Sequence, residues 1–171
     1  MLANPSRGDE TTPQFIGRTK MKIHDVMTPE AQSCSPSTDL AAVGALMWRR
    51  DCGTIPVVDP VSGKVQGMIT DRDICMAAAT NNRPAAEIRV SEVVTGKLHA
   101  VRPDDDAREG LRIMRVEKVR RLPVVDSDGK LQGIVSINDL ILLADAKSGG
   151  HSLLGTEVMD TLKSICAHRP R

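Results

Sequence analysis

Apolar positions in this chain follow two spacings. Leu40, Val43, Leu46 and Met47 recur at three- and four-residue intervals, close to one face of a helix, and Ala107, Leu111, Ile113 and Met114 do the same further on. Each stripe follows a helix-start signal, Pro36-Ser37-Thr38-Asp39 or Pro103-Asp104-Asp105-Asp106. There, side-chain oxygens can cap free N–H groups and acidic charge suits the helix dipole. Short apolar runs come next. Ile55 to Val58 and Val65 to Ile69 predict two strands joined through Pro60-Val61-Ser62-Gly63, and Leu122 to Val125 and Leu131 to Val135 predict two more across Ser127-Asp128-Gly129. A second helix is expected to open at Thr70, and another at Ser136.

These elements are one pattern written twice. A shift of 67 carries Asp39 onto Asp106 (39 + 67 = 106) and Ile55-Pro56-Val57-Val58-Asp59 onto Leu122-Pro123-Val124-Val125-Asp126. It also carries Val26-Met27-Thr28 onto Val93-Val94-Thr95. One extra residue in the first turn reduces the shift to 66, which takes Gly63-Lys64-Val65-Gln66-Gly67 to Gly129-Lys130-Leu131-Gln132-Gly133 (63 + 66 = 129). Each copy reads β-α-β-β-α. A single copy has a sheet face and helix stripes that it cannot bury alone, so two copies packed face to face around a shared core are expected. The expected fold is α/β (α+β), a pseudo-twofold pair. Residues 1–20 read as a flexible tail, 21–80 as the first copy, 81–89 as a joining loop and 90–147 as the second copy. Residues 148–171 read as a linker and a last helix over Thr156 to Ala167, with Val158, Leu162, Ile165 and Cys166 on one side. That side would dock on the body or on another subunit.

Composition removes several classes of function. Twenty-three basic and 22 acidic residues leave a net charge of +1, so general affinity for nucleic acid or membrane is not expected. Phe15 and Trp48 are the whole aromatic complement, so a planar ligand would lie between aliphatic side chains and backbone. No continuous apolar run, Leu140 to Ala144 included, comes near the ~20 residues of a membrane helix. The first residues lack the pattern of a secretory signal, and a cytoplasmic location is expected. Cys34, Cys52, Cys75 and Cys166 form no C-x-x-C pair and read as reduced small hydrophobes. His24, His99, His151 and His168 lack ligand spacing, so no metal site is expected. Neither a phosphate-binding glycine loop nor a nucleophile elbow is present, and the chain is not expected to be an enzyme.

The motif that carries chemistry is Gly67-Met68-Ile69-Thr70-Asp71-Arg72-Asp73, with its twin Gly133-Ile134-Val135-Ser136-Ile137-Asn138-Asp139. Thr70-x-x-Asp73 and Ser136-x-x-Asp139 each satisfy the pattern of a capping box, in which hydroxyl and acid bond the helix start reciprocally. Both also lie at the carboxyl end of a strand opening onto a helix, where ligands gather in α/β structures. A carboxylate there can accept from ribose hydroxyls. The hydroxyl and free N–H groups of the helix start suit a phosphate oxygen. The two roles are compatible.

With these two motifs, and with Met27-Thr28, Gly53-Thr54-Ile55-Pro56-Val57-Val58-Asp59 and Val119-Arg120-Arg121-Leu122-Pro123-Val124-Val125-Asp126, the chain resembles the paired CBS domains, or Bateman module. The resemblance covers roughly Ile23 to Ala146 and is nearest to stand-alone bacterial members such as a hypoxic response protein. It implies an adenosyl ligand between the copies: AMP, ADP or ATP first, S-adenosylmethionine or NAD after them, with no obligatory cofactor. By that resemblance, one site combines Thr70 and Asp73 with Thr95 and Arg120-Arg121-Leu122. The other combines Ser136 and Asp139 with Thr28 and the Gly53-Thr54-Ile55 backbone. Arg120 and Arg121 are either solvated charge before a strand or neutralisers of phosphate, whereas Gly53 and Thr54 offer no charge. The Asp73 site is therefore expected to prefer phosphorylated nucleotides. The family also implies a homodimer formed through the helices and an unidentified protein partner. Two functions follow, a sensor of nucleotide state or a ligand-free scaffold for oligomerisation and protein interaction.

Overall fold

The computed structural model describes residues 21–94, 96–146 and 153–167. A 3-10 turn at Ile23–Asp25 leads into β1 (Thr28–Pro29), α1 (Leu40–Arg50), β2 (Thr54–Val58), β3 (Val65–Thr70) and α2 (Asp71–Thr80). A second 3-10 turn, Ala85–Glu87, precedes α3 (Val90–Val93), α4 (Ala107–Glu117), β4 (Arg121–Val125), β5 (Leu131–Ser136), α5 (Ile137–Ala146) and α6 (Leu153–Cys166). The expected tail at 1–20 and the link at 148–150 lie outside the described residues.

Local chemistry sets these boundaries. The Asp39 carboxylate caps α1 by accepting from the Ala42 N–H at 2.8 Å, and Asp106 caps α4 by accepting from Arg108 at 2.9 Å. Both helices end on a left-handed residue, Asp51 (φ 48°) and Lys118 (φ 54°), which turns the chain into the next strand. The hairpins keep equivalent registers, Thr54 opposite Thr70 and Arg121 opposite Ser136. The segment just before the first long helix of each copy adds only one parallel bridge to the hairpin, Cys34 with Val57 and Val101 with Val124. Pro36 and Pro103 follow two residues later and, having no N–H, end the ladder.

The expectation of a single shared core is corrected. Two buried clusters form, each closed by a segment from the other copy. Ile23 is buried in the second copy's core, and Ile88 and Val90 in the first. The backbone bonds match pair for pair. Ile23 N–H donates to Asp105 O (2.9 Å) and His24 N–H to Pro103 O (2.9 Å), while Val90 donates to Thr38 O (2.9 Å) and Ser91 to Pro36 O (3.0 Å). β1 likewise pairs with β5 of the other copy, Thr28 opposite Ile134. Where the hairpin turns meet, Lys64 bridges Lys130 and Val65 N–H donates to Gly129 O at 3.0 Å.

The last helix begins three residues earlier than expected and docks on the body, against α4 and α5. Val158 and Thr161 are buried, and Leu162 and Ile165 pack on the second core. Cys166, expected on the same side, is exposed. An Arg108–Glu157 ion pair at 3.0 Å adds a link between α4 and α6. Among the described residues no helix is long and apolar enough to cross a membrane.

Candidate functional site

Thr70 ends β3 and caps α2. Its hydroxyl donates to Asp73 Oδ2 at 2.7 Å, its backbone N–H donates to the same oxygen at 2.9 Å, and it accepts from the Asp73 N–H at 3.2 Å. Ser136 repeats the arrangement with Asp139 at 2.7, 2.8 and 3.3 Å. Both capping boxes are therefore formed, and each uses only Oδ2. The other carboxylate oxygen, Oδ1, takes part in none of these contacts and can accept from a ligand hydroxyl.

Two loops with equivalent positions flank the motifs, residues 51–54 after α1 and 118–121 after α4. Each is tied to the helix start of its own copy: Asp71 N–H donates to Gly53 O at 3.1 Å, and Ile137 N–H to Arg120 O at 2.9 Å. The 118–121 loop also lines the cavity beside Asp73. That cavity has a volume of about 670 Å³ and is lined by Thr70, Asp73, Arg120, Arg121 and Leu122, together with Val94, Gly96 and Met68. This size is ordinary for a small-molecule site. Its charged lining comprises Arg72, Lys97, Lys118, Arg120 and Arg121 against Asp71 and Asp73, or 5 − 2 = +3 with histidine neutral.

The placement of the other expected residues follows from the same geometry. Gly53 and Thr54, assigned from the sequence to the Asp139 side, line the Asp73 cavity, because Thr54 pairs with Thr70 in the hairpin. Ile55 is buried in the first core. Thr28 lies beside β5, opposite Ile134. Thr95 falls outside the described residues, while its neighbours Val94 and Gly96 are on the Asp73 wall. Two glycines permit the close crossings: a Cβ on Gly133 would stand 2.5 Å from Thr28 O, and one on Gly67 would strike Val94 Cγ1.

Sequence reasoning missed Lys97, His99, Lys118 and Ile165, all on the cavity wall. Lys118 had a signal: the 67-residue shift places it opposite Asp51 in the equivalent loop. His99 Nε2 lies 3.3 Å from Glu117 Oε2, which anchors it to the end of α4. Ile165 arrives from the last helix, whose docking site no local pattern specifies.

The family model of the CBS domain matches this chain twice, over residues 23–80 and 90–145. The chain belongs to the CBS-domain family. A CBS domain-containing protein from Bacillus subtilis, YhcV, is 34% identical over 118 residues, which cover 69% of this chain and 81% of that protein. Among solved structures, the CBS pair is similar to CBSX2 in complex with AMP, at 26% identity and a TM-score of 0.62, over 73% of this chain and 96% of that one. It also shares the fold of Hypoxic Response Protein I, solved with two coordinated zinc ions, at 24% identity and a TM-score of 0.65, over 71% and 98%. In the CBS pair described here, no group of three or more His, Cys, Asp or Glu is placed to hold a metal among the described residues.

Proposed function

We propose that this CBS pair is a regulatory adenosyl-ligand module whose Asp73 cavity takes a phosphorylated adenine nucleotide: AMP, ADP or ATP. One observation carries the reading. A ribose-reading carboxylate, Asp73, and a basic loop at Arg120 and Arg121 face one cavity. The free Oδ1 of Asp73 accepts from the ribose, the arginines neutralise phosphate, and Met68, Val94 and Leu122 offer aliphatic surface to the base. The AMP complex of CBSX2 supports the adenosyl class. S-adenosylmethionine ranks lower, because a cationic wall disfavours its sulfonium. Binding shifts the population of pair or dimer conformations and so alters a partner, without catalysis. The Asp139 side, with Thr28 beside it, is the weaker or differently selective site.

A scaffold role is favoured by one separate observation. Trp48 on α1 is 88% exposed and Met76 on α2 is 51% exposed, whereas α6 covers α4 and α5 in the second copy. We assign this face to a second copy of the chain. Arg49 and Arg50 are followed directly by Asp51 at the end of α1, so a twofold pairing of this face can set opposite charges against each other. Sensor and dimer roles can coexist.

Thermal melts with AMP, ADP, ATP, NAD and S-adenosylmethionine test the reading. A ligand at 100 times its Kd adds about 2.7 kcal/mol to apparent stability, so a clear rise with at least one adenine nucleotide is expected. No rise with any of them at millimolar concentration leaves only the scaffold.

A further inference from the structure

Lys118 stands at the junction of two structures that the nucleotide reading leaves unconnected. It closes α4 in a left-handed conformation, lines the Asp73 cavity, and its Nζ donates to the carbonyl oxygen of Ala167 at the end of α6. That last contact is 3.4 Å long, near the limit of a hydrogen bond, and its acceptor is a neutral carbonyl. A phosphate oxygen is a stronger partner for an ammonium, because both groups are charged. Ile165, in the last turn of α6, lines the same cavity. The rest of that turn is held independently, by Ser164 Oγ donating to Arg115 O at 3.1 Å.

We infer that Lys118 is a phosphate-reading residue of the Asp73 cavity and that its engagement by phosphate frees the end of α6, making the last helix a reporter of nucleotide occupancy. The inference rests on the nucleotide reading of that cavity and adds its output. Phosphate at Arg120 and Arg121 lies within the same loop, so the ammonium moves toward the ligand without any change in the fold. The competition is absent from the first copy, where Asp51 occupies the position of Lys118. The chemical class read this way is a nucleotide with phosphate, not a nucleoside.

The test measures binding by calorimetry and hydrogen exchange at the amides of residues 165–167, with ATP and with adenosine. In the unaltered protein, saturating ATP speeds exchange in this turn several-fold and saturating adenosine leaves it unchanged. Lys118→Met weakens ATP about tenfold, leaves adenosine within about twofold, and exchanges fast at that turn with or without ligand. Lys118→Arg, which keeps the charge, retains ATP affinity within about threefold and controls for folding. Unchanged or slower exchange in the ATP-saturated native protein overturns the inference, as does wild-type ATP affinity in Lys118→Met. If Asp73→Asn still weakens ATP in those cases, the nucleotide reading survives alone. If the native protein binds neither ATP nor adenosine, both fall.

Discussion

The loops at 51–54 and 118–121 have the same backbone and opposite chemistry. Both follow a helix that ends on a left-handed residue, and both bond the helix start of their own copy through a carbonyl, Gly53 O or Arg120 O. One reads Asp51-Cys52-Gly53-Thr54, with a single acid. The other reads Lys118-Val119-Arg120-Arg121, with three bases. The fold needs only the turn, so the side chains are free to diverge. In a duplicated scaffold, function is carried where equivalent backbone positions hold unlike charges.

Making the second loop resemble the first breaks this comparison most severely. Arg120→Gly with Arg121→Thr removes two charged donors, each worth roughly 1.5–3 kcal/mol when engaged. ATP binding measured by calorimetry is expected to fall about a hundredfold or more, with adenosine little affected. Equal losses for ATP and adenosine would assign the arginines to structure and not to phosphate.

The crossings over Gly133 and Gly67 give a smaller contrast. An added Cβ at Gly133 meets the backbone oxygen of Thr28, whereas at Gly67 it meets one methyl of Val94. Gly133→Ala is expected to cost about 1–3 kcal/mol in denaturant melts, and Gly67→Ala less, because a side chain yields more easily than a strand. Equal costs would mean that β1 moves as freely as the Val94 side chain.

Cys34 and Val101 occupy equivalent positions, one bridge apiece beside the central hairpins. Burial pushes the Cys34 thiol up from 9.0 to about 11, with a backbone hydrogen bond opposing it. The neutral thiol is the form that the fold accommodates. Its contribution is intact below about pH 9 and is lost as pH rises toward about 11, when the unfolded chain ionises first. Cys34→Val is expected to change stability by less than about 1.5 kcal/mol at neutral pH and to flatten that alkaline decline. At pH 8, iodoacetamide should modify the exposed Cys75 and Cys166 well before Cys34.

Much of this was legible in the residues. The repeat, the hairpins, the caps at Asp39 and Asp106 and both acid motifs follow from local spacing and from the constant shift. What local spacing lacks is the identity of the partner. Nothing in Met21-Lys22-Ile23 says that Ile23 buries in the other copy. Ile88, in the 81–89 stretch that reads as a joining loop, is nevertheless core. The placement of Gly53 and Thr54 beside Asp73 depends on hairpin register, which pairs Thr54 with Thr70. Lys118 was visible only by carrying the repeat alignment through the loop, not by any motif.

The central claim is that the two acid motifs, alike in geometry, differ in what they bind. Calorimetric titration of ATP into Asp73→Asn and Asp139→Asn tests it most directly. Asparagine can keep accepting the capping hydrogen bonds while losing the charge that reads ribose. The account predicts that Asp73→Asn weakens the tighter ATP site about tenfold to a hundredfold and that Asp139→Asn leaves that site unchanged. Equal losses in both variants, or a loss only in Asp139→Asn, would contradict it.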